Sequence, residues 1–223
     1  MDDLSRLGRG EPDGTVWRPP EVDVSLRPGW FFHAAEHPRP LAELLDIYQA
    51  SVGHGCCLLL NLPPDRRGLI PEEDVARLRE LRAALDARFA DDKARARPAT
   101  ASNVRGNDPR FAAANLTDGR PDTCWAADDD VHQATIEVGL AAPAWIGCVR
   151  LDECIALGQR IEAFAVDVKL WSQWLEVATG TTIGARRLVT FPAVHTDAVR
   201  VRILATQACP VLRRLSAFAA PGR

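Results

Sequence analysis

The residues best equipped for chemistry lie between Gly14 and His33. There Glu21 follows the prolines Pro19 and Pro20, with Trp17 before it in the chain and Trp30 after it. A carboxyl group beside indole rings is poorly solvated once charged, so it keeps a proton that it can pass to a leaving group near neutral pH. An acid for glycosidic cleavage has that requirement, and Glu21 is the first candidate, against the ordinary alternative of a solvated loop glutamate. Asp23 is a rival two residues on, read instead as an acceptor that braces the loop. Trp17 and Trp30 offer ring faces to a sugar, with core packing an equal claim on Trp30. Arg27 offers a guanidinium to a carboxylate, Glu21 included, or to solvent. His33 and His37 read as loop residues.

Two strand-then-helix units are expected to position these groups over residues 1–90. Trp30, Phe31 and Phe32 form a short apolar run, placing Glu21 in the loop before a strand. Leu41, Leu44, Leu45, Tyr48 and Val52 then recur at helical spacing. Cys56 to Leu62 repeats the apolar run, and Pro71 with Glu72, Glu73 and Asp74 opens a second helix whose apolar face is Val75, Leu78, Leu81, Leu85 and Phe89. Runs buried on both faces and alternating with helices predict parallel strands. Two such units cannot close an eight-fold barrel, which leaves strand edges and apolar faces open to self-association.

Residues 91–97 lack periodicity and read as a linker. From 98 to 223 the rhythm is that of short alternating strands: Gln133 to Leu140, Ile146 to Leu151, Ala163 to Leu170, Trp174 to Ala178, Arg187 to Phe191 and Ala198 to Leu204. Such a series predicts an antiparallel β-sandwich. The fold class is therefore α/β followed by all-β. Trp145, Trp171 and Trp174 could form a sugar-stacking surface, although core packing is the ordinary explanation for strand tryptophans. Arg160 lies in an expected loop and could reach a sugar hydroxyl or the neighbouring domain.

A net charge of −3, with arginines interleaved among acids, argues against a nucleic-acid partner. Six cysteines without a C-x-x-C pair argue against zinc and for reduced, mostly buried thiols, which suits the cytosol better than export. The run Leu58 to Leu60 is too short to cross a bilayer, and the Gly-x-Gly pattern at Gly8 and Gly10 is too weak to mark a phosphate site.

The segment Glu21-x-Asp23-x-Ser25-x-Arg27-x-Gly29-Trp30-Phe31-x-His33 resembles the acid/base region of bacterial α-L-fucosidases of glycoside hydrolase family 29. The segment Asn115-Leu-Thr-Asp118-Gly119-Arg-Pro-Asp122-Thr123-Cys-Trp125 resembles the opening of the discoidin or coagulation-factor type C fold, and Ala156 to Arg160 with Phe164 to Asp167 resembles that domain as it occurs behind fucosidase barrels. The resemblance implies retaining hydrolysis of terminal α-L-fucosides on a fucosylated glycan, without an organic cofactor. It implies Glu21 as general acid/base, Trp30, Trp17 and Arg27 near the sugar, and the final two units of a (β/α)8 barrel. It also implies an aspartate nucleophile on an earlier strand, so the expectation is a truncated chain of negligible activity alone. A stand-alone carbohydrate-binding sandwich and a decayed remnant are the alternatives. Calcium, which the discoidin turn often holds, would draw on Asn115, Asp118 and Asp122, but Arg213 and Arg214 stand where the family usually has an acid, so no metal is expected.

Overall fold

The computed structural model describes residues 14–220. Their packing separates Arg18–Ala90 from a second unit made of Asp91 onward together with Trp17 and the residues before it.

In the first unit β1 (Glu21–Ser25) is followed by α1 (Leu41–Ala50), β2 (Cys57–Asn61) and α2 (Glu72–Phe89). The strands pair in parallel, from Glu21 opposite Cys57 to Ser25 opposite Asn61. The first strand is thus the alternating Glu-Val-Asp-Val-Ser segment and not Trp30–Phe32, which correct the sequence expectation together: Glu21 lies in the strand, and Trp30 and Phe31 are 52% and 79% exposed in a bend. The physical reason is that the bend's carbonyls are satisfied by side chains and not by a ladder: Ser25 donates to the Gly29 carbonyl at 2.7 Å and Asn61 Nδ2 to the Trp30 carbonyl at 3.0 Å. Burial along β1 and β2 also alternates instead of covering both faces, and Leu59 is 50% exposed. Helices α1 and α2 meet over Leu26, Leu44 and Leu81, with Leu41, Leu45, Leu78 and Leu85 packed around them. Pro71 caps α2, and the three acids of its first turn face the positive end of the helix dipole.

The second unit is an antiparallel sheet of seven strands among the described residues: β3 (Ala99–Ala101), β4 (Trp125–Ala126), β5 (Ala134–Glu153), β6 (Ile161–Leu170), β7 (Gln173–Gly180), β8 (Arg187–Thr206) and β9 (Val211–Phe218). The order is β4-β9-β5-β8-β6-β7, with β3 also on β5. Four of the short strands expected from sequence are halves of two twenty-residue strands, β5 and β8. Ala141-Ala-Pro143 and Pro192 look like breaks in the sequence because proline cannot donate to a ladder. In the fold they fall in stretches where the β5–β8 register shifts, and the strands bend there without ending. Bent this way, the sheet is a β-sandwich around one core that includes Trp125, Ile136, Ile146, Leu151, Phe164, Val201 and Leu212. Trp125 is fully buried, its indole N–H donating to the Asn103 carbonyl at 2.9 Å.

Residues 91–97 are built into this unit. Lys93 donates its backbone N–H to Ala217 and Ala96 to Thr117, each at 2.8 Å, and Ala94 is wholly buried.

Gly180 gives the core a direct test. A Cβ there would stand 2.4 Å from the Phe164 ring, which is 1% exposed and has little room to yield. Gly180→Ala is expected to destabilise the protein by about 1–3 kcal/mol, read as a lowered denaturant midpoint; an unchanged midpoint would mean the ring is free to move.

Candidate functional site

The chain leaving β1 is fixed by polar side chains from several directions. Asn61, at the end of β2, donates to both the Ser25 hydroxyl and the Trp30 carbonyl at 3.0 Å. Arg39 closes the loop from its far end, its Nε donating to the Ser25 carbonyl at 2.9 Å and its backbone N–H to Leu26 at 2.8 Å. The result is a braced loop at the carboxyl end of two parallel strands that presents Trp30, Phe31 and His33.

Arg27 holds the underside of that loop. Its side chain has no exposure; Nε donates to both Asp74 oxygens at 3.1 and 2.9 Å, and Nη2 adds a third bond at 2.8 Å. Nη2 also donates to Glu73 and Nη1 to the Glu36 carbonyl, and the guanidinium lies 5.0 Å from the Phe32 ring centre. The expected sugar-binding or surface arginine is therefore a buried strut, because α2 places two adjacent carboxylates against it. The Asp74 hydrogen bonds hold Arg27 above the ordinary guanidinium range, with burial opposing. His37 also has a partner, its Nδ1 lying 3.0 Å from Glu73 Oε2, and this contact, then Arg27, holds the Glu73 carboxyl below the ordinary range.

The structure does not gather the sequence candidates into one place. Glu21 is exposed at the amino end of β1, and at a strand rise of about 3.3 Å per residue it is about 13 Å along the strand from Ser25, where the aromatic loop starts. Shielding by Trp30 does not arise, since Trp30 belongs to the opposite end of β1. Trp17 groups with the sandwich and is 37% exposed, its indole nitrogen 3.9 Å from where a Gly184 Cβ would stand. Asp23 is exposed midway along β1 and not in a loop.

In the sandwich, Asn115 Nδ2 donates to the Arg110 and Cys124 carbonyls at 2.8 Å. Asp118 accepts from the Arg120 N–H at 2.7 Å and the Thr123 hydroxyl at 2.8 Å. Asp122 pairs with the Arg120 guanidinium at 2.9 Å, which holds its carboxyl below the usual range. The turn is closed by its own hydrogen bonds. Gly119 is required in it: φ is +74° and the Arg95 guanidinium occupies the space of a Cβ. Among the described residues no group of three or more His, Cys, Asp or Glu is disposed to hold a metal. Arg213 and Arg214 approach Asp152 at 3.6 and 3.9 Å, where Arg150 already pairs at 2.7 Å.

Arg160 is also a brace, donating to the Leu157 and Cys209 carbonyls at 3.2 and 3.0 Å. None of the six cysteines is in a disulfide; Cys56, Cys148 and Cys209 are buried as expected and Cys57 is exposed. The Gly8 and Gly10 pattern lies outside the described residues.

Sequence reading missed three buried carboxylates, Asp152 beside its arginines and two more. Glu153 accepts backbone N–H groups from Arg160, Ile161 and Gly184 at 2.8, 3.0 and 2.6 Å; burial, only partly offset by these donors, pushes it above the ordinary glutamate range. Asp167 is 1% exposed; burial opposes its charge, but hydrogen bonds from Arg202 and Arg200 outweigh burial and leave it below the aspartate range. A charged residue inside the apolar run from Phe164 to Val168 was the available signal.

The sequence profile of the F5/8 type C domain matches residues 98–215, more than half of the chain. The chain belongs to the F5/8 type C domain family. Across both units it is similar to the C-terminal part of family 29 fucosidases. A rice protein (Oryza sativa subsp. japonica) bearing an alpha-L-fucosidase 1 name is 36% identical over 211 residues, which take in 94% of this chain and 41% of that protein. The crystal structure of SpGH29 superposes with a TM-score of 0.89 at 37% identity, covering 99% of this chain and 48% of SpGH29. A Ruminococcus gnavus GH29 fucosidase in complex with fucose gives a TM-score of 0.89 at 28% identity over 96% of this chain and 43% of its own. The chain thus spans about two fifths of the curated relative and less than half of either solved enzyme.

Two measurements test the struts. Asp74→Ala leaves a buried guanidinium without its main partner and should destabilise by about 3–5 kcal/mol in chemical unfolding; a loss below 1 kcal/mol would relegate the pair to a minor contact. The folded-state carboxyl of Asp167 lies below its unfolded value, so its contribution is present above about pH 3.9 and is lost as pH falls through the lower folded value. The stability of Asp167→Asn should therefore fall less steeply with acid than that of the wild type; identical profiles would contradict this.

Proposed function

We propose that this chain works as part of an α-L-fucosidase that hydrolyses terminal α-L-fucosides on glycans with retention of configuration. Residues 18–90 supply the last two βα units of a (β/α)8 barrel, and the sandwich is its accessory domain. The observation that carries the reading is the match to SpGH29, which runs through both units at 37% identity and 99% coverage of this chain. A free-standing sandwich module would give no reason for residues 18–90 to follow the same template. Parallel pairing of β1 and β2, each followed by a helix, is what barrel units require. The fucose held by the R. gnavus relative supports the sugar.

In this mechanism two carboxyl groups about 5–5.5 Å apart work across the glycosidic bond, one attacking the anomeric carbon and the other protonating the departing oxygen before activating water. Glu21 takes the acid/base role. The attacking carboxylate comes from the part of the relatives that this chain does not span, so residues 14–220 alone hydrolyse negligibly. The open edges of β1 and β2 then accept the remaining barrel strands or, without them, second copies of the chain.

One observation favours a second reading of Glu21. Barrel enzymes gather catalytic groups at the carboxyl ends of their strands, where this unit presents Trp30, Phe31 and His33, whereas Glu21 opens β1 at the other end. In that reading the aromatic loop lines the sugar site and the acid lies elsewhere in the barrel.

An aryl α-L-fucoside assay decides between them, run on this chain and on a version extended at its amino end to the length of its relatives. The extended enzyme should be active, and Glu21→Gln should lower kcat by about 10²–10⁴-fold. Activity within tenfold of wild type would move the acid/base role off Glu21, and inactivity of the extended enzyme would overturn the fucosidase reading. Light scattering of the unextended chain should show concentration-dependent association; a monomer at high concentration would contradict the open edges.

A further inference from the structure

Asn61 ends β2 opposite Ser25, the last residue of β1. Asparagine is scarce in strands, because a short amide packs poorly on a half-buried pleated surface. After the apolar run Cys57 to Leu60 it adds little by packing, so its place is explained by its bonds. The Asn61 carbonyl accepts the Leu26 N–H at 2.9 Å, one residue beyond the paired register of the two strands. Where the register ends, the side-chain amide takes over. Its two N–H groups go to the Ser25 hydroxyl and the Trp30 carbonyl, each at 3.0 Å, and Ser25 donates in turn to the Gly29 carbonyl at 2.7 Å.

The Gly29 and Trp30 carbonyls belong to the two peptide planes that flank the Trp30 α-carbon. Each plane is rigid, so holding both carbonyls fixes the backbone of Trp30 and leaves the indole only its own side-chain rotations. One amide does this, directly on one side and through Ser25 on the other. Packing cannot substitute for it, since more than half of Trp30 is exposed. The residue type follows from the bonds: an amide nitrogen offers two donors without charge, whereas a carboxylate of the same shape would set acceptors against acceptors.

We propose that Asn61 is a positioning residue of the fucosidase reaction, acting through Trp30 to hold the indole where the sugar stacks on it. This rests on the fucosidase reading with the aromatic loop lining the sugar site, and it gives Asn61 no chemical step of its own. A ring that packs on the sugar equally in the bound and the reacting state contributes uniform binding, so loss of its orientation acts on KM and not on kcat. A merely structural role, holding the end of β2 against β1, would appear in stability alone.

A double-mutant cycle in the amino-terminally extended enzyme, assayed on an aryl α-L-fucoside, separates the two roles. Asn61→Ala should raise KM about tenfold with kcat within about threefold of wild type, and Asn61→Asp should do the same. Ser25→Ala, which keeps the bond from Asn61 to the Trp30 carbonyl, should raise KM less. In a Trp30→Ala background Asn61→Ala should change KM no further, because two residues acting through one contact are not additive. An equal rise in KM in both backgrounds, or an unchanged KM with only a lowered melting temperature, would overturn the proposal. Should Asn61→Ala fail to fold, Asn61→Asp carries the cycle under the same criteria. An inactive extended wild type would instead overturn the fucosidase reading, and this inference with it.

Discussion

The pair Arg27–Asp74 is the constraint on which the first unit depends. A buried guanidinium is tolerable only when carboxylates meet it at hydrogen-bonding distance, and α2 supplies two, one wholly buried and one at the surface. This fixes the height of α2 against the end of β1 and so determines where the loop carrying Trp30 and Phe31 emerges. Arg27 and Arg39 act at opposite ends of one loop, with Asn61 between them from β2. With the Ser25 hydroxyl on the Gly29 carbonyl, four side chains shape the loop, together with the backbone bond from Arg39 to Leu26 that closes it.

The sandwich solves a different problem. Its core is apolar and continuous, but the segments that close its ends carry carbonyls and N–H groups that no strand pairs. Glu153 satisfies three such donors at once, and Arg160 satisfies the carbonyls of Leu157 and Cys209. The same residue types that suggest ligand chemistry in a sequence are here consumed by the backbone.

Much of the architecture was legible because it rests on periodicity. Leu44 and Leu81 face the core from helices whose spacing predicted them, and the parallel pairing of two strands followed from the strand–helix rhythm. What periodicity could not show was which of two neighbouring segments forms the strand. The apolar Trp30–Phe32 run outweighed the alternating Glu21–Ser25, because exposed aromatics and core aromatics look alike in one dimension. Long-range partners were equally hidden: nothing near Arg27 in the chain announces Asp74, forty-seven residues away, and a bend inside β5 looks the same as a turn between two strands. Trp171 was singled out by type, but only the fold shows that its indole is exposed on a left-handed backbone and not packed.

The last strand described, β9, lies in the interior of the sheet, between β4 and β5. During synthesis β4 and Cys148–Glu153 of β5 therefore emerge long before the segment that joins them, and their ladder groups on that side stay unpaired until Val211–Phe218 follow. Loss of β9 would uncouple β4 from the sheet.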